Sequence, residues 1–165
     1  MVISCVSVAQ NTDINEQILD AAVCKMNTKV GDGICCRFVH KVFQETNATI
    51  STPLVGGDVK AGDIFYTLGF YQFKGTLDSA VIEGLDAHIA IVYKVLGNNR
   101  YMLINQNFAG KKKRSRVVIT TLDLNQDDNT FSRGFWFFRP EEGDVFTHDL
   151  THIYKKLPVN QVSAE

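Results

Sequence analysis

At residue 63 the chain changes its periodicity, and no other feature restricts its fold as strongly. Before that point apolar residues recur at helical intervals. From Asp13 to Met26, the residues Ile14, Ile18, Ala21, Ala22 and Val23 share one side of a helix, and Asp13 with Glu16 makes a capping pair. From Ile34 to about Thr46, Cys35, Phe38, Val39, Val42 and Phe43 fall at i, i+3, i+4, i+7 and i+8, which predicts a second helix with a continuous buried stripe. After residue 63, β-branched and aromatic residues cluster between turn signals in five runs: "DIFYTLGFYQF", "AHIAIVYKV", "RYMLINQN", "RVVITTLDL" and "GFWFFRP". "LGNNR" is a hairpin turn between the second and third runs, and "NQDDN" separates the fourth from the fifth. Helices followed by strands predict an α+β fold, with N-terminal helices packed on one face of a five-stranded, mainly antiparallel sheet.

One domain accommodates these elements. The chain has 165 residues, 45% of them hydrophobic and 21% charged, enough for one substantial core and too little for two. No internal repeat or low-complexity linker divides it. The reading is an N-terminal segment over 1–11, a folded domain over 12–140 and a C-terminal extension over 141–165. A net charge of −1 and a pI near 6.4 provide no general attraction to nucleic acid or to an anionic membrane. No apolar run approaches the roughly 18 residues of a membrane span, so no integral membrane segment is expected.

The opening "MVISCVSVAQ" resembles the end of a secretory signal, with Ser-Val-Ala before Gln10, but lacks a basic start. If residues 1–9 are such an end the protein is secreted or periplasmic; otherwise it is cytoplasmic. Four cysteines are too few for a disulfide scaffold, and a bridge between the neighbours Cys35 and Cys36 is strained, so free thiols are expected.

Thiols at a helix start raise a question of chemistry. "VGDG" leads into Cys35, which stands at the N-terminus of the second predicted helix. There the macrodipole favours a thiolate, and unpaired backbone N–H groups face outward, able to receive a developing oxyanion. Asp32 offers an acidic cap, and Cys36 lies at the edge of the buried stripe. Free cysteine also serves as a small core residue, so position alone does not decide. His88 begins the apolar run "AHIAIVYKV" and shares a face with Ala90 and Val92. A hairpin centred near Asn98 brings it opposite roughly residue 108. In "INQN", Asn105 and Asn107 then face one side of the sheet and Gln106 the other, so a side-chain amide can hold one nitrogen of the His88 ring. Nucleophile on a helix, base on a strand and amide on the next strand is the order that Cys-His-Asn catalysis requires.

At these residues the sequence resembles a known family. "KVGDGICCRFV", "AGDIFYTLGFY", "HIAIVYKV", "INQNFAGKKKRSRV" and "FWFFRP" are similar, in order, to the motifs of a compact papain-like cysteine peptidase fold close to the NlpC/P60 and CHAP hydrolases. Bacterial and plant proteins carry such domains, and a similar one closes a yeast SH3-containing actin-patch protein. The resemblance covers residues 12–140. It implies Cys35 as nucleophile, His88 as general base and Asn105 as the third residue. It implies supporting roles for Asn107, for Asp32 with Gly31 and Gly33, and for the backbone of Cys36 as an oxyanion donor. It further implies an amidase or endopeptidase acting on a peptide or peptidoglycan-like substrate, with no cofactor and no metal.

Three positions depart from the family pattern. Cys36 replaces tryptophan, Ile34 replaces glutamate or glutamine, and Asn105 replaces glutamate or glutamine. They motivate a reading of another class, an interaction module on the same fold with little or no hydrolysis and a protein partner.

The remaining features have plainer readings. Cys35, Cys36, His40 and His88 make a poor zinc set, because adjacent cysteines chelate badly and no C-x-x-C pair exists. The basic run "KKKRSR" is read as a solvated turn, and "FSRGFWFF" as a core strand rather than a base-stacking platform. "NAT" at Asn47 is a glycosylation sequon, with meaning only in a secreted chain.

Overall fold

The computed structural model describes residues 13–54, 58–68, 71–74, 81–84, 87–106, 116–126, 130–131 and 134–143. Asn107, most of the basic run, the segment 1–11 and everything after Gly143 lie outside the described residues.

Two helices precede all the strands, as the periodicity predicts. α1 spans Ile14–Val23 and begins at Asp13, whose Oδ1 accepts the Asn15 N–H at 3.1 Å. It stops short of the predicted Met26 because a parallel bridge between Met26 and Val117 pulls the backbone aside. The Asn27 N–H donates to Val117 O at 2.9 Å there. α2 spans Cys35–Thr46 and ends at Asn47, which takes the left-handed conformation at φ 50° and donates its N–H to Phe43 O. Phe38, Val39, Val42 and Phe43 are fully buried on its inner face, each contributing about 1.5–3 kcal/mol of transfer free energy.

The strands are β1 Ala48–Pro53, β2 Ile64–Leu68, β3 Tyr71–Lys74, β4 Val81–Gly84, β5 Ala87–Gly97, β6 Arg100–Asn105, β7 Val118–Asp123, β8 Thr130–Phe131 and β9 Phe135–Glu142. Six of them form one antiparallel sheet in the order β1-β9-β2-β5-β6-β7. The five-stranded expectation is therefore corrected to six. "ATISTP" was not legible as β1 because Ile50 is its one large apolar residue and Pro53 ends it, marks of an edge strand. The run "DIFYTLGFYQF" is two strands rather than one: β2 lies in the main sheet, while β3 pairs with β4 and β8 in a small second sheet.

Both faces of the main sheet are covered, so its central strands read as continuous apolar runs rather than alternating ones. On the helix face, Ile64, Tyr66, Ile89, Ile91, Ile104 and Phe138 pack with Ile18, Cys35, Phe38 and Phe43. On the other face, Phe65, Ala90, Val92, Leu103, Leu122 and Phe137 form a second core, with Phe131 of β8 against it. The aromatic run of β9 is thus core: Phe137 and Phe138 are buried, and Trp136 lies over Tyr66. Among the described residues no helix is long and apolar enough to cross a membrane.

The expectation of free thiols holds at Cys35 and Cys36 and is corrected at Cys24, which is disulfide-bonded. Too few cysteines for a scaffold are still enough for a single bridge.

Candidate active site

Cys35 is the first residue of α2, and its position follows from the loop before it. Gly31 and Gly33 adopt φ 58° and 94°, values that L side chains resist. They let the chain reverse in a turn closed by Gly33 N–H to Val30 O at 3.1 Å. Asp32 Oδ1 then accepts the Ile34 N–H at 3.2 Å, and its other oxygen lies 3.6 Å from Arg37 Nε. Asp32 thus fixes the helix start from outside and remains exposed.

The Cys35 side chain points inward and is 8% exposed. Burial raises its thiol pKa, opposed by the backbone N–H groups of Ile89, Cys36 and Cys35 itself, which favour the thiolate. The half-buried Cys36 thiol is also pushed up, by burial first and then by the neighbouring Cys35 sulfur.

His88 lies on β5 and is 1% exposed, with its Nε2 2.8 Å from Asn105 Oδ1. Asn105 Nδ2 donates to Leu103 O at 2.9 Å and to Thr120 Oγ1 at 2.6 Å. With both amide hydrogens directed at acceptors, Asn105 presents only its oxygen to the ring, so Nε2 carries the proton and Nδ1 is the basic nitrogen. Burial lowers the His88 pKa, and the Asn105 bond opposes that shift.

The register that joins His88 to Asn105 differs from a simple hairpin. The turn at Asn98 and Asn99 has φ 49° and 54°, a primed turn of the kind strand twist favours. Irregularities between Val92 and Lys94 and between Val95 and Gly97 each place an extra residue on β5. They slide the strand so that Ile91 faces Ile104, and His88 reaches Asn105 diagonally.

Thiol and imidazole approach from opposite faces of the sheet. Cys35 belongs to the helix-side core with Ile89 and Ile91, whereas His88 alternates with them and shares its face with Ala90 and Val92. The Val92 N–H donates to Asp63 O at 2.7 Å, and Gly62 N–H donates to Val92 O at 2.8 Å. Between Ala87 and Val92, even-numbered residues of β5 therefore direct their backbone groups toward β2 and odd-numbered ones toward β6. The β5–β6 pairing ends at Ile91↔Ile104. Beyond it the Ile89 N–H is the foremost of the backbone groups that favour the Cys35 thiolate. His88 Nε2 is thus held by Asn105 Oδ1, and the Ile89 amide that favours the Cys35 thiolate is one peptide unit from His88.

Gln106 and Thr120 are site residues that sequence reasoning missed. Gln106 is fully buried and holds the loop before Cys35: Oε1 accepts the Val30 N–H at 2.7 Å, and Nε2 donates to Val30 O at 2.8 Å and Ile34 O at 3.1 Å. Its placement on the face opposite Asn105 was readable, but its partners were not. Among the described residues no group of three or more histidine, cysteine or acidic side chains is placed to hold a metal ion.

The chain matches no family model, no curated protein and no solved structure. A buried thiol at a helix start, backbone N–H groups around its sulfur, and a neighbouring imidazole of fixed tautomer can support general-base-assisted nucleophilic attack. Both pKa shifts favour the neutral forms, so the resting site is thiol and imidazole rather than thiolate and imidazolium.

Proposed function

We propose that the protein is a cysteine hydrolase of the amidase or endopeptidase type, with Cys35 as nucleophile, His88 as general base and Asn105 as the residue that orients the imidazole. The observation that carries this reading is the buried 2.8 Å bond between His88 Nε2 and Asn105 Oδ1, one peptide unit from an amide that favours the Cys35 thiolate. For the sulfur to attack an amide or ester carbonyl, the His88 ring turns from its resting face around the strand end, and the thiol proton passes to Nδ1. The S–C bond forms, the carbonyl oxygen takes the negative charge, and backbone N–H groups at Cys35 and Cys36 receive it. The C–N or C–O bond then breaks, with the His88 proton going to the leaving group. Water, deprotonated by His88, hydrolyses the thioester. The resemblance to compact papain-like peptidases of the NlpC/P60 and CHAP type supplies the substrate class, a peptide or a peptidoglycan-like chain, without a cofactor or metal.

Site-resolved iodoacetamide labelling as a function of pH tests this in the wild type and in His88→Ala. With a neutral resting pair, Cys35 labelling should rise as His88 loses its proton, below the ordinary 6.5, and again above 9.0 as the thiol ionises unaided. His88→Ala should erase the lower limb, slowing neutral labelling by about 100-fold or more. A single limb identical in both proteins would sink the hydrolase.

The burial of Cys35, with its raised pKa, favours a second reading: an interaction module that retains the architecture and binds a protein partner without hydrolysis. It is distinguished by that single limb.

A further inference from the structure

We infer that Gln106 is a positioning residue for the nucleophile, and that the dipeptide Asn105–Gln106 holds the two halves of the site in mutual register through opposite faces of the sheet. This rests on the assignment of Cys35 and His88 as the reacting pair.

Consecutive residues at a strand end point to opposite faces. Asn105 uses this to grip His88 on one side, with its oxygen 2.8 Å from Nε2. Gln106 uses it to grip the approach to Cys35 on the other. Its amide engages Val30 through both backbone groups, at 2.7 and 2.8 Å, and the Ile34 carbonyl at 3.1 Å. These two residues bracket the loop Gly31-Asp32-Gly33, which supplies no apolar side chain of its own. The Ile34 carbonyl also begins the helix ladder, accepting from Arg37 N at 3.1 Å and Phe38 N at 3.3 Å. Gln106 therefore holds the first turn of α2 as well as the loop.

β6 does not set the spacing at this point, because the β5–β6 pairing ends at Ile91↔Ile104, while β2 holds the other edge of β5 through Tyr66↔Ile89 and Thr67↔His88. Two adjacent side chains at the end of β6 therefore tie the loop before Cys35 and the His88 ring to one stretch of chain. A displacement of about 1 Å between reacting groups is enough to cost on the order of 100-fold in rate, so the bracket governs reactivity without touching the reacting atoms.

Amide hydrogen exchange of the full chain, resolved by NMR, tests the assignment in the wild type, Gln106→Met and Asn105→Ala. Gln106→Met keeps the side-chain length and removes all three bonds. Exchange at both Val30 and Ile89 should then accelerate on the order of tenfold or more, with the His88 ring titration unmoved. Asn105→Ala should do the converse, moving the ring titration and sparing Val30. Faster exchange at Val30 with Ile89 unchanged would confine Gln106 to tethering a loop and overturn the proposal, as would no change at either.

If Gln106→Met does not fold, Gln106→Glu keeps the acceptor for the Val30 N–H and sets an oxygen against the carbonyls of Val30 and Ile34. Exchange at Ile89 then decides alone, faster in support and unchanged in refutation. Loss of the hydrolase reading would show elsewhere, in Cys35 alkylation that is indifferent to His88→Ala, and would leave the exchange result standing.

Discussion

Asn105 commits its whole amide inside the protein, to His88, Leu103 O and Thr120. Asn105→Ala should therefore cost about 2 kcal/mol, since buried groups of three partners lose a hydrogen bond. The same bond raises the His88 pKa against the larger effect of burial, so its removal should lower that pKa further. The folded value already lies below the unfolded 6.5. Below about pH 6.5 the unfolded chain thus binds more protons than the folded one, and stability should fall as pH drops through that window. Urea midpoints measured across pH should show the loss extending to lower pH in Asn105→Ala, and a flat wild-type profile between pH 4 and 7 would contradict a buried neutral His88. Cys35, His88 and Asn105 were legible in the sequence because each occupies an element end that local patterning identifies. Gln106 and Thr120 were not, because their partners come from distant segments, the loop before α2 for Gln106 and the β6–β7 pairing for Thr120, which no local periodicity announces.

α1 crosses close over the segment leading into β2. Gly62 has φ +85°, and a Cβ there would stand 2.3 Å from Asn15 O, within the backbone of α1. Gly62→Ala should destabilise the protein by about 3 kcal/mol, combining left-handed strain with displacement of the helix. Chemical denaturation would check it; a change below about 0.5 kcal/mol would mean that α1 is loosely docked. Helix limits were readable to within a few residues, since caps and apolar stripes are local. Strands were harder. β1 is short and mostly polar, and the run from Asp63 to Phe73 divides between two sheets although its composition is uniform.

Across the whole molecule, one buried carboxylate ties distant parts of the chain together. Asp63 is fully buried. It accepts from Asn15 Nδ2 on α1 at 2.8 Å, from Lys60 N–H at 2.8 Å, and from Arg139 Nε and Nη2 on β9 at 3.2 Å each. Asp63→Ala should cost about 3 kcal/mol, tempered by the partial exposure of Arg139. Because the pair is sheltered on one side, the loss measured by urea melts should persist at high salt; a loss that disappears in salt would place the interaction at the surface. The α+β class was legible from the order of periods, whereas the strand order was not, since it depends on pairings between distant segments. That order has a consequence for synthesis. β9 lies between β1 and β2 and is the strand against which β1 pairs in the sheet. A chain emerging from the ribosome therefore makes β1 long before its partner exists. The helix-side core cannot close over Ala48 and Ile50 until residues near Phe138 have been translated, so this domain completes its fold at the end of its own translation rather than during it.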